Sequence, residues 1–155
     1  MNLSDTQQVQ WRHSNIGRLL NNSVRRFEAR VLMLMSERGH SETTIAHVNL
    51  TRNLDVGGTR LTELARRAEM SKQAMSELVE QCAAMGLVDR SADPSDRRAR
   101  LVSFTSAGLE WLEAFRDAVD LAEHEMREEL GDLLMDAVVT GLTNYAGRLG
   151  TLTDK

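Results

Sequence analysis

Residues 61–108 read LTELARRAEMSKQAMSELVEQCAAMGLVDRSADPSDRRARLVSFTSAG, and the punctuation in this stretch decides the fold. Leu64, Ala65 and Ala68 make one short apolar stripe at helical spacing, and Met75, Leu78, Val79, Cys82 and Met85 make a second. Thr62 and Ser71 stand where each helix needs an N-terminal cap, Glu69-Met70 leaves room only for a tight turn, and Gly86 supplies the stop. After Gly86 the period falls from 3.6 to 2. LVDR (87–90) and ARLVSF (99–104) read as short strands, with Arg100, Val102 and Phe104 on one face and Ala99, Leu101 and Ser103 on the other. The connection SADPSDRR carries Asp-Pro and Ser-Asp turn chemistry, so the pair is a hairpin with a projecting tip.

A tight helix-turn-helix followed at once by a two-stranded hairpin is the winged-helix arrangement, which lays its second helix in the major groove with the hairpin beside it. Outward from it the chain is helical. Ile16, Leu20, Phe27, Val31 and Leu34 predict one amphipathic helix over about 7–37, ending before Gly39. A second is expected from Ser41, as N-cap, through Ile45, Val48 and Leu54 to Gly57-Gly58. Thr105 caps a long helix whose Leu112, Phe115, Val119, Ala122, Met126 and Leu130 approach a coiled-coil seam. Gly131-Asp132 interrupts it, and a last helix carries Leu134, Val138, Leu142, Tyr145 and Leu149 on one side. The expected class is mainly α with a small β-hairpin: a winged helix-turn-helix flanked by N- and C-terminal dimerisation helices.

A chain of 155 residues is most simply a single domain, 1–155, with a DNA-binding lobe at 41–104 and dimerisation helices at 7–37 and 105–150. The near-heptad seam has no cover within a lone winged helix, so Leu112, Phe115, Val119, Met126, Leu142 and Tyr145 are assigned to a homodimer interface. With 41% hydrophobic and 27% charged residues the composition is that of a globular protein. No stretch approaches the roughly 18 apolar residues of a membrane span, and the N-terminus lacks an apolar signal core, so the expected location is cytoplasmic and no membrane partner is expected.

The net charge of −4 is unevenly spread: residues 1–59 carry +2, residues 60–100 carry +1 and residues 101–150 carry −7. The acidity belongs to the C-terminal part, which leaves the middle free to approach an anion, and the expected partner is double-stranded DNA. On the second helix of the pair Gln73 and Ser76 point away from the apolar stripe and Lys72 lies on the flank. Gln73 matches an adenine edge, Ser76 several bases, and Ser71 can add a phosphate contact to its capping role. Arg97 and Arg98 sit at the wing tip and Arg100 on the strand behind, in reach of phosphates or a narrow minor groove. Pro94 stiffens the approach, and Asp96 is placed to hold the Arg98 guanidinium.

At these residues the chain resembles the winged-helix core of the MarR (multiple-antibiotic-resistance regulator) family of bacterial transcription regulators. The helix pair, the Gly-Leu-Val turn at 86–88, the Asp-x-Arg of Asp96 to Arg98 and the Leu-Val-x-Phe-Thr-x-x-Gly of 101–108 all coincide with it. One departure is Glu69, where the family commonly has glycine. The resemblance implies a homodimer held by interlocked terminal helices, acting as a repressor, and a small-molecule effector bound between those helices and the DNA-binding lobe; the two-fold symmetry of such a dimer predicts a pseudo-palindromic operator. His47 and Trp11 are the candidates for lining such a pocket, although a half-buried histidine or tryptophan at a helix junction is commoner than a ligand contact.

The other reactive residues read as structural. Cys82 lies in an apolar stripe, where burial suppresses the thiolate, and Trp111 reads as interface packing. His13, His40, His47 and His124 lack metal-ligand spacing, and no phosphate-binding Gly-Lys loop, HExxH or Gly-x-Ser-x-Gly occurs. No catalytic residue, metal or cofactor is therefore assigned, and an enzyme is not expected. The competing function is a winged-helix protein-interaction module without DNA binding, which the exposed arginines of the wing disfavour.

Overall fold

The computed structural model describes residues 5–150, with side chains from Gln10 to Ala146 apart from that of Arg97. Ten elements follow one another: α1 (Asp5–Ser14), α2 (Ile16–Glu37), α3 (Ile45–Asn53), β1 (Thr59–Arg60), α4 (Leu61–Arg67), α5 (Lys72–Ala84), β2 (Val88–Asp93), β3 (Asp96–Phe104), α6 (Ser106–Leu130) and α7 (Asp132–Gly150). They form a mainly helical winged-helix fold with a three-stranded antiparallel sheet ordered β1-β3-β2. The chain divides into two compact units between Ala118 and Val119.

The first helix predicted over 7–37 is two helices. Asn15 adopts an extended backbone, its Oδ1 accepts from the Arg18 N–H at 3.0 Å, and its Nδ2 donates to the Trp11 carbonyl at 2.9 Å. A short amide side chain offers the backbone these alternatives to helical bonding, so α1 ends and α2 begins across it. The next helix also starts later than expected: α3 runs Ile45–Asn53 with Thr44 rather than Ser41 at its N-cap, and stops before Gly57-Gly58. Arg60, not Thr62, occupies the N-cap of α4.

The first unit is packed around Leu34, Met35, Leu50, Leu64, Met75, Val79, Cys82, Val102 and Trp111, all nearly free of solvent. Trp111 is thus a core residue and not interface packing. Its Nε1 donates to Thr43 Oγ1 at 3.0 Å, and its ring stacks on Phe115 at a centroid distance of 5.3 Å. Burying the indole requires a partner for its one N–H, and Thr43 supplies it.

Two joints fix α5 and the wing. Helix α4 ends with the Met70 N–H bonded to the Ala65 carbonyl and the Glu69 N–H to the Arg66 carbonyl, and α5 ends with the same pair of bonds from Leu87 to Cys82 and from Gly86 to Ala83. This is the Schellman closure, whose penultimate residue must be left-handed; Gly86 has φ +74°, and Glu69 is held at φ +52°. At the second joint Thr105 Oγ1 donates to the Gly86 carbonyl and accepts from the Gly108 N–H at 2.9 Å, while the Thr105 N–H donates to the Leu87 carbonyl at 3.1 Å. A Cβ on Gly108 would lie 1.8 Å from the Leu87 oxygen, so only glycine admits this approach.

In the second unit Arg127 bonds both Asp132 (3.1 Å) and Asp136 (2.9 Å) across Gly131. Helix α7 leaves Leu133, Leu134, Val138, Val139, Leu142 and Tyr145 exposed. In the first unit Trp11, Ile16, Leu19 and Val24 of α1 and α2 are likewise exposed.

Candidate nucleic-acid interface

Ser71 caps α5 as expected, its Oγ accepting from the Ala74 N–H at 3.1 Å, which leaves Lys72 and Gln73 exposed on the first turn. Gln73 Nε2 donates to Glu77 Oε1 at 3.3 Å, and Ser76 is half-buried. The apolar side of the helix, Met75, Leu78, Val79 and Cys82, is buried in the core. Burial raises the Cys82 thiol to about 11, well above its ordinary value, which removes the thiolate that oxidant chemistry needs.

The wing is longer and its turn tighter than the sequence reading. The ladder of β2 and β3 runs from Val88–Phe104 to Asp93–Asp96, with an irregularity between Ala92 and Asp93, so only Pro94 and Ser95 form the turn. Arg98 and Arg100 are exposed on β3 behind it, and the side chain of Arg97 lies outside the described residues. Asp96 does not hold the Arg98 guanidinium: its Oδ1 accepts from the Arg98 backbone N–H at 3.0 Å, because a two-residue turn brings that amide closer than the end of the side chain.

The brace of the wing is a different acid. Asp93, almost fully buried, accepts from the Ser95 N–H (2.8 Å) and Oγ (2.7 Å) and from Arg60 Nε at 2.6 Å. The Ser95 bonds first, and then the Arg60 guanidinium, hold its carboxyl down at about 2. Arg60 lies on β1, which pairs with β3 through Thr59–Val102 and Arg60–Leu101, and so ties the wing turn to the start of α4. Sequence reasoning missed β1, Arg60 and Asp93; the only local sign was Asp before Pro, itself a turn signal.

The lobe sorts its cations. Arg66 makes a two-point bond to Glu63 (2.8 and 2.7 Å), and Arg67 bonds Glu63 (2.9 Å) and Asp55 (3.0 Å); together they lower Glu63 to about 2, Arg66 contributing most. Arg60 is held by Asp93, and Arg90 by Glu80 at 3.1 Å. Lys72, Arg98 and Arg100 have no carboxylate partner among the described residues. The cations at the start of α5 and along β3 are therefore the ones left available to an external anion.

The two pocket candidates are not brought together by any bond. His47 is buried and its Nδ1 accepts from the Thr44 backbone N–H at 3.2 Å, the reverse half of a capping box, with burial lowering its pKa. Trp11 stands 64% exposed on α1. A cleft of about 270 Å³ bordered by His40, Thr43, Met85, Leu87 and Trp111 includes neither. Among the described residues no cluster of His, Cys, Asp or Glu is arranged to hold a metal, and no helix is long and apolar enough to cross a membrane.

Residues 49–99, the helix-turn-helix and most of the wing, match the model of the MarR family. No curated protein sequence is significantly similar to the chain. Solved structures share its fold. The apo form of MarR from E. coli superposes with a TM-score of 0.71 at 18% identity over 85% of this chain and 97% of that one. A MarR-family transcriptional regulator from Rhodococcus sp. RHA1 gives 0.68 at 21% identity over 84% and 91%. The transcriptional repressor CouR, bound to a 23-mer DNA duplex, gives 0.68 at 20% identity over 94% and 99%. CouR from Rhodococcus jostii RHA1 has also been solved with p-coumaroyl-CoA.

Proposed function

We propose that this chain, whose winged-helix lobe matches the MarR family over residues 49–99, is a sequence-specific DNA-binding transcriptional regulator that works as a homodimer. The observation that carries the reading is the distribution of charge partners in the lobe. Every described cation of β1, α4 and β2 is bound to a carboxylate, whereas Lys72, Arg98 and Arg100, on the elements a winged helix turns toward DNA, are not. Lys72 at the start of α5 meets a phosphate as that helix enters the major groove, with Gln73 and Ser76 at base edges and Ser71 beside the backbone. Arg98 reaches the adjacent minor groove, Arg97 a flanking phosphate, and Arg100 supports the strand between them.

In each unit by itself, exposed apolar residues, those of α1 and the start of α2 in the first and those of α7 in the second, are what a second copy covers. Two-fold symmetry then sets two recognition helices about 34–36 Å apart, on a pseudo-palindromic site. Repression, and release by a small-molecule effector, are assigned by analogy with CouR, a repressor of the same fold known with DNA and with p-coumaroyl-CoA.

Selection of bound sequences from random DNA tests the reading. The expected result is an inverted repeat, bound with an affinity that falls steeply as salt rises. A chain that selects no sequence, and whose retention on random DNA is indifferent to salt, refutes it in favour of a protein-interaction module.

A further inference from the structure

We propose that Arg90 is a positioning residue that decides what Ser76 reads, a role that rests on the DNA-binding function above. Arg90 lies on the sheet face of Val88 and Val102 and pairs with Val102, which is fully buried. From the floor of the wing its guanidinium reaches across to α5, where Nη1 donates to Glu80 Oε1 at 3.1 Å and Nη2 to Ser76 Oγ at 3.3 Å. Ser76 and Glu80 are one helical turn apart, so a single planar group spans both. Its side chain is 29% exposed, against 65% for Glu80, so the guanidinium is the better anchored of the pair.

Two consequences follow from the donor geometry. Because Arg90 takes one of the two lone pairs of the Ser76 oxygen and its charge turns the hydroxyl hydrogen away, Ser76 meets the groove with its hydrogen free and its acceptor capacity halved. Acceptor edges (N7 or O6 of guanine, N7 of adenine, O4 of thymine) are then favoured over the N4 amino group of cytosine. The second consequence is electrostatic. Glu80 would repel a phosphate at this end of the helix, and the fixed positive charge of Arg90 offsets it. Arg90 thus acts on sequence preference through Ser76 and on overall affinity through Glu80, and the two effects are separable.

The test compares the full-length parent with Arg90→Leu, Arg90→Lys, Glu80→Gln, Ser76→Ala and the doubles Arg90→Leu/Glu80→Gln and Ser76→Ala/Arg90→Leu. Each undergoes selection from random DNA and titration on the site the parent selects, at one salt concentration. Arg90→Leu should lose about fivefold of preference at the same base pair that Ser76→Ala affects, and Ser76→Ala/Arg90→Leu should be no broader than Ser76→Ala alone. Its affinity should fall about tenfold for every sequence, and adding Glu80→Gln should restore affinity without restoring preference. Arg90→Lys, a point charge without the fork, should keep affinity and lose preference. Circular dichroism reports folding; should Arg90→Leu unfold, Arg90→Lys still decides. Parental preference in Arg90→Lys, or broadening at base pairs that Ser76→Ala leaves alone, overturns the proposal. A parent that selects no sequence overturns the DNA-binding reading as well.

Discussion

Replacing Glu69 by glycine should stabilise the protein, although it removes a side chain and adds backbone freedom. Glu69 occupies the left-handed position of the turn between α4 and α5 at φ +52°, and its exposed side chain makes no hydrogen bond or ion pair among the described residues. Holding a residue with a Cβ there costs about 1–2 kcal/mol relative to glycine. Glycine in turn loses about 0.5–1 kcal/mol more conformational entropy on folding. The net gain is about 0–1.5 kcal/mol, or up to about 6 °C in Tm for a chain of this size. Differential scanning calorimetry at one fixed protein concentration measures it, the concentration being held because an assembling protein's Tm depends on it. Two controls isolate the cause: Glu69→Ala keeps the Cβ and should leave Tm within about 1 °C, and Gly86→Ala, at the same position of the next closure, should lower it. A Glu69→Gly variant that melts below the parent, while Gly86→Ala behaves as stated, refutes the account of the turn.

Four further outcomes are expected. Gly108→Ala, whose Cβ meets the Leu87 carbonyl, should destabilise by about 1–3 kcal/mol in chemical denaturation, whereas Gly141→Ala, inside α7 where a Cβ meets nothing, should stabilise by up to ~1 kcal/mol. Glu63 and Asp93 are both held near 2 when folded, so between their ordinary range and pH 2 the unfolded chain binds more protons; stability should be intact above about pH 5 and fall as pH is lowered, and Glu63→Gln/Asp93→Asn should flatten that acid limb in pH-dependent melts. Arg98→Ala should weaken operator binding and change preference for A·T-rich flanks, whereas Arg97→Ala should weaken all sequences alike and lower the salt slope by roughly one; identical binding by the double variant contradicts both roles. Leu142→Glu, on the exposed apolar side of α7, should shift light scattering toward monomer and reduce operator affinity with the helical content unchanged.

What the sequence made legible was local. As helix caps and stops, Ser71, Gly86 and Thr105 act within three or four residues of themselves, and each sits at the boundary its type predicts, whereas the bonds of Thr105 to the Gly86 and Leu87 carbonyls carry no local sign. The break at Asn15 was hidden because the apolar stripe begins only at Ile16, and the polar residues before it carry no period that marks where one helix hands over to the next. Thr59 and Arg60 are too few to show any strand period. The bond from Arg60 to Asp93 spans 33 positions, and that from Arg90 to Ser76 depends on which side of β2 meets α5. Such contacts are decided by packing. Glu69 shows the opposite case: it breaks the glycine rule in the sequence, and the backbone bears the strain in place.

The joint at Thr105 and Gly108 makes the end of α5, the base of the wing and the first turn of α6 into a weld rather than a hinge. With the carbonyls of Gly86 and Leu87 both gripped by Thr105 and no clearance at Gly108, torque applied to the first turn of α6 has no slack to take up. A tilt of that turn is thus felt at the C-terminal end of α5 through the Gly86 and Leu87 carbonyls themselves.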